Sequence, residues 1–290
     1  MRASQSILIT GATSGIGRDA AMRLAGAGHL VLAGGRRADA LASLARDSGG
    51  RVEPLVLDVT DPGSVEAARE LVERRTGGRG LDVLVNNAGY ALPGPLEALA
   101  EADLRELFDT NLFGLLAVTR AFLPAMRERG QGRVVNVGSI MGRVAMPLLG
   151  AYNASKHAVA AVTEALRMEL APFGVSVVLV EPGAVRTGFA ARALAGLAPY
   201  RDPGSPYAAI LAGTDAAWAR VYRLAPGPAS AGRAIARAAT ADHPAPRYVV
   251  PARSRLVVAA LTVLPTAAAD AAKRRIMGLP GRAGQAEAPE

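Results

Sequence analysis

Tyr152 and Lys156 stand four residues apart in Tyr152-Asn153-Ala154-Ser155-Lys156. Four residues make about one turn of an α-helix, so a helix here would carry both side chains on the same face. A phenol has an ordinary pKa of about 10, and a nearby ammonium group favours its ionised form. The pair therefore predicts a tyrosine that acts as a general acid or base with its pKa lowered by the lysine. The competing interpretation is an amphipathic helix in which the two residues have no chemical role.

The elements that must position this pair are indicated by seven short apolar runs separated by helical stretches. Runs of this kind, without polar alternation, are typical of strands buried on both faces of a parallel sheet. We therefore predict an α/β fold with one Rossmann-like, doubly wound domain, a seven-stranded parallel sheet and helices on both faces. The runs span residues 7–9, 30–32, 55–57, 83–85, 134–137, 175–180 and 248–250.

A glycine-rich loop follows the first predicted strand and leads into a helix. Its sequence is Thr10-Gly11-Ala12-Thr13-Ser14-Gly15-Ile16-Gly17. Glycines let the backbone approach a pyrophosphate, and the helix N-terminus offers unpaired N–H groups. The loop predicts a dinucleotide site, although a purely structural turn would also explain the glycines.

The end of the second strand indicates which dinucleotide is bound. An acid usually holds the adenosine ribose at this point, but the chain has Gly34-Gly35-Arg36-Arg37. Because guanidinium groups bind a phosphate in a bidentate manner, NADP(H) is favoured over NAD(H). The alternative, that both arginines are solvated surface charges, fits Arg37 better than Arg36.

A further candidate contact lies in Leu57-Asp58-Val59-Thr60, after the third strand. We assign Asp58 and Val59 to the adenine end of the site, with the Asp58 carboxylate accepting a hydrogen bond from the adenine amino group. A plain helix N-cap role for Asp58 or Asp61 is the competing interpretation.

With these motifs in place, the sequence resembles the short-chain dehydrogenase/reductase family over residues 6–187, and more loosely to about residue 250. Two local sequences resemble the 17β-hydroxysteroid and retinol dehydrogenase branch of the family. They are Ser155-Lys156-His157-Ala158-Val159 and Glu181-Pro182-Gly183. The family's motifs match, in order, Thr10 to Gly17, Asn86-Asn87-Ala88-Gly89, Asn111, Ser139, Tyr152 with Lys156, and Pro182-Gly183-Ala184-Val185-Arg186-Thr187.

The resemblance implies roles for these residues. Tyr152 would be the acid or base, Lys156 would hold the nicotinamide ribose, Ser139 would position the substrate carbonyl, and Asn111 would hold a water that relays protons to Lys156. Ser139 and Tyr152 would thus contact the substrate. An amide that satisfies a kinked helix is the alternative for Asn111, and an ordinary strand-end hydroxyl is the alternative for Ser139. The implied cofactor contacts are Gly11, Thr13, Ser14, Gly15, Ile16, Gly17, Arg36, Arg37, Asp58, Val59, Asn87, Ala88, Gly89, Tyr152, Lys156, Pro182, Gly183, Val185 and Thr187.

Length and pattern favour a single domain. The 290 residues are half hydrophobic, enough for one large α/β core. We assign the domain to residues 1–279, with a substrate loop or lid at 188–228, a helical C-terminal extension at 253–279, and a disordered tail at 280–290.

Charge and composition exclude several functions. The net charge is +8, but the chain has only two lysines and its arginines are scattered, so we expect no nucleic-acid binding. Its three histidines have no metal-ligand spacing and it has no cysteine, so we expect no metal site. The apolar first strand begins close to Met1, which leaves no room for a signal sequence and predicts a cytoplasmic protein.

The residues that would bind the substrate are mostly apolar. The segment 188–228 contains Phe189, Leu194, Trp218 and Tyr222 with few acids, which predicts a small hydrophobic ketone, aldehyde or alcohol as substrate. An NAD-dependent alcohol dehydrogenase of the same family and a non-catalytic nucleotide-binding regulator are the alternatives.

Two surfaces suggest larger partners. Apolar stripes at Leu104 to Phe108 and at Val159 to Leu170 permit a homodimer or homotetramer. The basic and apolar stretch from Arg253 to Leu264 favours a packed helix over contact with a membrane surface.

Overall fold

The computed structural model describes residues 4–279, apart from the side chain of Ala190. Seven strands form one parallel sheet, and each predicted apolar run contributes to one of them. They are β1 (Ser6–Ile9), β2 (Leu30–Gly35), β3 (Val52–Val56), β4 (Val83–Asn86), β5 (Gly132–Val137), β6 (Val175–Pro182) and β7 (Arg247–Val250). The predicted doubly wound α/β fold is confirmed, whereas the tail predicted at 280–290 lies outside the described residues.

Helices connect the strands and cover both faces of the sheet. Shorter 3-10 turns occupy residues 96–98, 140–142, 171–173 and 198–201, and a π-helical turn spans Asp109–Phe113. The α-helices are α1 (Gly15–Gly26), α2 (Ala38–Asp47), α3 (Pro62–Arg75), α4 (Glu101–Phe108), α5 (Gly114–Glu128), α6 (Gly150–Leu170), α7 (Gly188–Ala195), α8 (Ala208–Leu211), α9 (Thr214–Arg223), α10 (Ala229–Thr240), α11 (Arg253–Val263) and α12 (Thr266–Ile276).

The two layers of core follow from the alternation of side chains along each strand. In β1, Ile7 and Ile9 pack with α1, α2 and α10 on one face, while Leu8 packs with α3 and α5 on the other. Both sets are fully buried. The apolar runs read as continuous in sequence because both faces of the sheet are covered.

The strand order is β3-β2-β1-β4-β5-β6-β7, so the direction of winding reverses between β1 and β4. Ligands of doubly wound sheets bind at this switch point, beyond the carboxyl ends of the strands. The loop after β1 and the Asn86 to Gly89 segment after β4 meet there. The Thr10 hydroxyl accepts hydrogen bonds from the backbone N–H groups of Asn87 and Ala88, both at 3.0 Å.

The segment at 188–228, predicted as a loop or lid, is largely helical. It contains α7, α8, α9 and the 3-10 turn at 198–201. Its glycines and prolines interrupt the pattern, but the alanine-rich runs between them have high helix propensity.

Candidate active site

A cavity that is partly open to solvent lies at the carboxyl ends of the central strands. It brings together fourteen of the residues assigned from the sequence. These are Gly11, Ser14, Gly15, Ile16, Asn87, Ala88, Gly89, Ser139, Tyr152, Lys156, Pro182, Gly183, Val185 and Thr187.

The glycine-rich loop has the shape of a phosphate cradle. A Cβ on Gly11 would lie 2.8 Å from the Ala88 Cα, and one on Gly17 would lie 2.4 Å from the Asn87 Nδ2. Gly11 and Gly15 also have positive φ angles of 64° and 58°, which favour glycine. The Ser14 side chain makes no capping bond and the first turn of α1 has no acid, so the N–H groups of this helix end face the cavity free for an anion. The residues present therefore fit a dinucleotide pyrophosphate.

The adenosine end of the site carries charge of both signs. The Arg36 Nη1 lies 3.9 Å from the Asp58 Oδ2, and both Arg36 and Arg37 are exposed beyond β2. Burial acts to raise the pKa of Asp58, but hydrogen bonds from the Thr60 backbone and hydroxyl, together with Arg36, hold it below its ordinary value. Asp58 is thus a carboxylate acceptor, and Asp61, not Asp58, caps α3 through a 2.9 Å bond from the Gly63 N–H.

The Val59 side chain is buried in the core against the start of α5, where a Cβ on Gly114 would lie 2.7 Å from its Cγ2. Its assignment to the adenine end stays a prediction. Thr13 lies beside β2, since a Cβ on Gly35 would lie 2.6 Å from its Cγ2.

Asn111 occupies the π-helical turn between α4 and α5 and is fully buried. Its amide nitrogen donates to the Tyr90 carbonyl and the Ser155 hydroxyl, and its amide oxygen accepts from the Tyr90 N–H, all at 3.0 Å. These bonds reach other segments, so the amide does not serve to satisfy its own helix. A Cβ on Gly89 would lie 2.8 Å from the Asn111 Oδ1 and 3.7 Å from the Lys156 Nζ. Gly89 thus allows Asn111 and Lys156 to approach the same point.

Tyr152 and Lys156 lie in α6, as the spacing predicts. The Lys156 Nζ is 5.9 Å from the centroid of the Tyr152 ring and donates to the Val137 carbonyl at 3.0 Å. Ser139 lies beyond β5, where its hydroxyl accepts from the Met141 N–H at 3.1 Å. The three side chains line one cavity, with the Ser139 hydroxyl at the phenol end.

The electrostatics of the pair differ from the sequence-based expectation. Burial raises the pKa of Tyr152 to about 12, and the Ser139 hydroxyl opposes this only in part. Burial lowers the pKa of Lys156 to about 8. The predicted lowering of the tyrosine pKa is wrong for this structure, because desolvation disfavours the charged form of both side chains.

The outer wall of the cavity is mainly apolar. Of the residues singled out in segment 188–228, Phe189, Trp218 and Tyr222 line it, whereas Leu194 lies in an adjoining apolar cluster. The Phe189 and Tyr152 rings lie 5.9 Å apart, so the apolar wall lies beside the Tyr152 phenol. The structure adds Ile140, Met141, Leu149 and Arg192, which carry no motif. Only their position after β5 and β6 could have suggested them.

Within residues 4–279, no group of three or more His, Cys, Asp or Glu side chains is placed to hold a metal ion. In the same part of the chain, no helix is both long and apolar enough to cross a membrane.

Comparisons with known proteins agree with this geometry. The profile of the short chain dehydrogenase family matches residues 5–197. An NADPH-dependent 3-dehydrocapnine reductase from Ornithobacterium rhinotracheale is 34% identical over 263 residues, which cover 89% of this chain and 92% of that protein. Retinol dehydrogenase 7 from Rattus norvegicus is 42% identical over 182 residues, which cover 62% of this chain and 57% of that protein.

Among solved structures, a short-chain dehydrogenase from Streptomyces avermitilis superposes with a TM-score of 0.75. It is 34% identical, and the match covers 89% of this chain and 92% of that one. The family profile, the relatives and the fold agree, and the chain belongs to the short-chain dehydrogenase/reductase family of NAD(P)-dependent oxidoreductases.

Proposed function

We propose that the protein is an NADP(H)-dependent reductase of a hydrophobic ketone or aldehyde, with Tyr152 as the general acid. The observation that carries the proposal is the position of the Tyr152 phenol, beside Ser139 and at the junction of a phosphate cradle and an apolar wall. A phenol that stays protonated at neutral pH suits the donation of a proton to a carbonyl oxygen.

NADP(H) is the cofactor that these residues fit. Arg36 follows β2 where an acid would repel a 2′-phosphate, and an NADPH-dependent reductase is among the relatives. Arg36 and Arg37 would bind the 2′-phosphate, Asp58 the adenine, and the glycine-rich loop with Asn87 to Gly89 the pyrophosphate and ribose. Pro182, Gly183, Val185 and Thr187 would enclose the nicotinamide end.

The bound cofactor would supply a hydride to the carbonyl carbon. Ser139 would donate a hydrogen bond that orients the carbonyl oxygen, and Tyr152 would transfer its proton to that oxygen as the carbon is reduced. The Lys156 ammonium uses one of its donors on the Val137 carbonyl, which leaves others for the ribose hydroxyls. Its positive charge would stabilise the phenolate left on Tyr152 until a proton returns.

Asn111 would complete the return path for the proton. Its Oδ1 and the Lys156 Nζ approach Gly89 together, which supports an ordered water between them. Through that water, Lys156 would recover protons from solvent and pass them to Tyr152.

We infer a homodimer or homotetramer, because Phe113 and Met168 are large apolar side chains exposed around the long helices α5 and α6. We also propose a cytoplasmic location, as expected from the sequence. Light scattering coupled to gel filtration measures the number of chains.

The test of the function is a binding titration with NADPH and NADH, followed by oxidation of the bound cofactor on a panel of aliphatic, aromatic and long-chain ketones. Tighter binding of NADPH and ketone-dependent oxidation are expected. A preference for NADH would favour an NAD-dependent dehydrogenase, and binding without turnover on every ketone would favour a nucleotide-binding regulator.

Replacing Arg36 with Ala is expected to raise the Kd for NADPH by about 10- to 100-fold, the equivalent of one or two charge-assisted hydrogen bonds. The Kd for NADH, which has no 2′-phosphate, should change by less than about threefold. Arg46→Ala is the matched control, because Arg46 is exposed in the last turn of α2 and is assigned no cofactor contact. Equal losses for NADH and NADPH, or an equal effect of Arg46→Ala, would contradict the assignment.

A further inference from the structure

Helix α11 is apolar on a surface that the chain leaves exposed. Within its 11 residues only Ser254 and Val258 are buried, and Leu261 is half-buried. Leu256 is 76% exposed and Val263 is 81% exposed, with Val257 and Leu264 exposed beside them. A helix that is apolar on nearly all sides normally lies in a core or against lipid.

The end of α9 extends this exposed surface. The Arg253 guanidinium donates to the Leu224 carbonyl, which joins the end of α9 to the start of α11. Leu224 is itself 63% exposed. Leu224, Leu256, Val257, Val263 and Leu264 together form what we call the α11 surface.

Positive charges flank the α11 surface. They are Arg220, Arg223, Arg253 and Arg255, all exposed. Within residues 4–279, none of the four has a carboxylate within ion-pair distance. Between residues 216 and 269 the sequence has a single acid, Asp242. The surface therefore pairs apolar side chains with uncompensated positive charge.

The apolar side chains and positive charges of the α11 surface favour one kind of partner over another. A second copy of the chain, meeting through the same patch on both subunits, would place arginines close to arginines. A bilayer with anionic lipids offers negative charge at its surface and an apolar interior just below. We propose that the α11 surface docks on a membrane containing anionic lipids.

The helix would lie in the plane of the interface. At about 1.5 Å per residue, α11 is too short to span a hydrocarbon core of about 30 Å. Its leucines and valines would enter the boundary between headgroups and acyl chains, while its arginines contact lipid phosphates.

Docking would bring the catalytic cavity to the membrane. The buried side of α11 packs through Val258 on the cluster that includes Trp218 and Leu149, and both of these line the cavity. If the proposed reductase function holds, its ketone is a lipophilic molecule that enters from the bilayer. The docking itself does not depend on that function.

The experiment is sedimentation of the full chain with vesicles of phosphatidylcholine alone or with about 30 mol% phosphatidylglycerol. Binding to the anionic vesicles is expected to be at least about tenfold stronger and to weaken as salt is added. Leu256→Glu should reduce that binding by about tenfold or more, because a charge replaces an apolar anchor. Arg255→Gln should reduce it by about threefold to tenfold.

Val56→Glu is the matched control, since Val56 is 60% exposed on β3, at the opposite edge of the sheet from β7. Reduction of a water-soluble ketone by Leu256→Glu reports folding and the proposed function separately from docking. No binding to anionic vesicles, or equal loss with Val56→Glu, would overturn the proposal. A dimer that Leu256→Glu dissociates, without vesicle binding by the unsubstituted protein, would assign the surface to a second copy instead.

Discussion

Replacing Tyr152 with Phe is expected to lower kcat for ketone reduction by about 10²- to 10⁴-fold, the usual contribution of a positioned general acid. The substitution removes the proton donor but keeps the ring that packs against Phe189. The Kd for NADPH should rise by no more than about tenfold, which corresponds to one neutral hydrogen bond. Steady-state kinetics and a binding titration on the same preparation measure both effects.

Tyr222→Phe is the discriminating variant, because Tyr222 also lines the cavity and burial raises its pKa as well. Tyr222 stacks on Trp218 at a centroid distance of 5.6 Å, within the substrate wall. Its hydroxyl should influence KM more than kcat. If Tyr222→Phe abolished reduction and Tyr152→Phe did not, the acid would be assigned to the wrong tyrosine.

Lys156→Met is expected to abolish activity and at the same time to stabilise the cofactor-free protein by about 2 kcal/mol at pH 7. Lys156 is 6% exposed, and its pKa falls from 10.5 to about 8. Such a shift corresponds to about 3 kcal/mol of destabilisation at pH values where both states are charged. Lys156→Met also leaves the Val137 carbonyl without its hydrogen-bond donor, which should reduce the gain in stability by about 1 kcal/mol.

The stability gained by Lys156→Met should decrease as the pH rises. The folded-state pKa of Lys156 lies below the unfolded-state value, so between about pH 8 and pH 10.5 the unfolded chain binds more protons. The unsubstituted protein therefore gains stability from this group as the pH rises through that window. Below pH 8 the buried ammonium destabilises the unsubstituted protein to its full extent, so the stability gained by Lys156→Met is largest there. That gain disappears toward pH 10.5.

Urea unfolding at pH 7 and pH 10 measures the difference in unfolding free energy between the two proteins. Lys273→Met is the control, because Lys273 is the only other lysine of the chain and pairs with Asp270 near the surface. It should change stability by less than about 1 kcal/mol. A Lys156→Met variant that is less stable than the original at pH 7 would contradict a destabilising effect of the buried ammonium.

The sheet and the identity of the site residues could be predicted from sequence because they depend on local pattern. The apolar runs indicate strands buried on both faces, and Gly11 and Gly17 stand where any Cβ would collide with the Asn87 to Ala88 segment. These features are set by residues close in sequence or by a fold with few alternatives.

The electrostatics could not be predicted in the same way. The spacing of Tyr152 and Lys156 reveals that they share a helix face, but it does not reveal that both are nearly removed from water. The hydrogen-bond partners of Asn111 are Tyr90 and Ser155, which lie 21 and 44 positions away in the sequence. No local sequence pattern predicts these hydrogen bonds. The core position of Val59 likewise depends on packing against Gly114, far along the chain.

The α11 surface is more exposed in the structure than its sequence predicts. An apolar stretch such as Leu256 to Leu264 predicts burial, yet the fold buries only one narrow stripe of it. Whether lipid covers the remainder is a question of association rather than of folding.

The most direct test of hydride transfer in this cavity is to supply NADPH carrying deuterium at C4 of the nicotinamide, in each of its two stereoisomers, together with a ketone that the protein reduces. We expect an alcohol with one deuterium on the carbinol carbon from one isomer and none from the other, detected by mass spectrometry. Tyr152→Phe should yield almost no labelled alcohol. Oxidation of NADPH without deuterium in the alcohol from either isomer would contradict hydride transfer in this cavity.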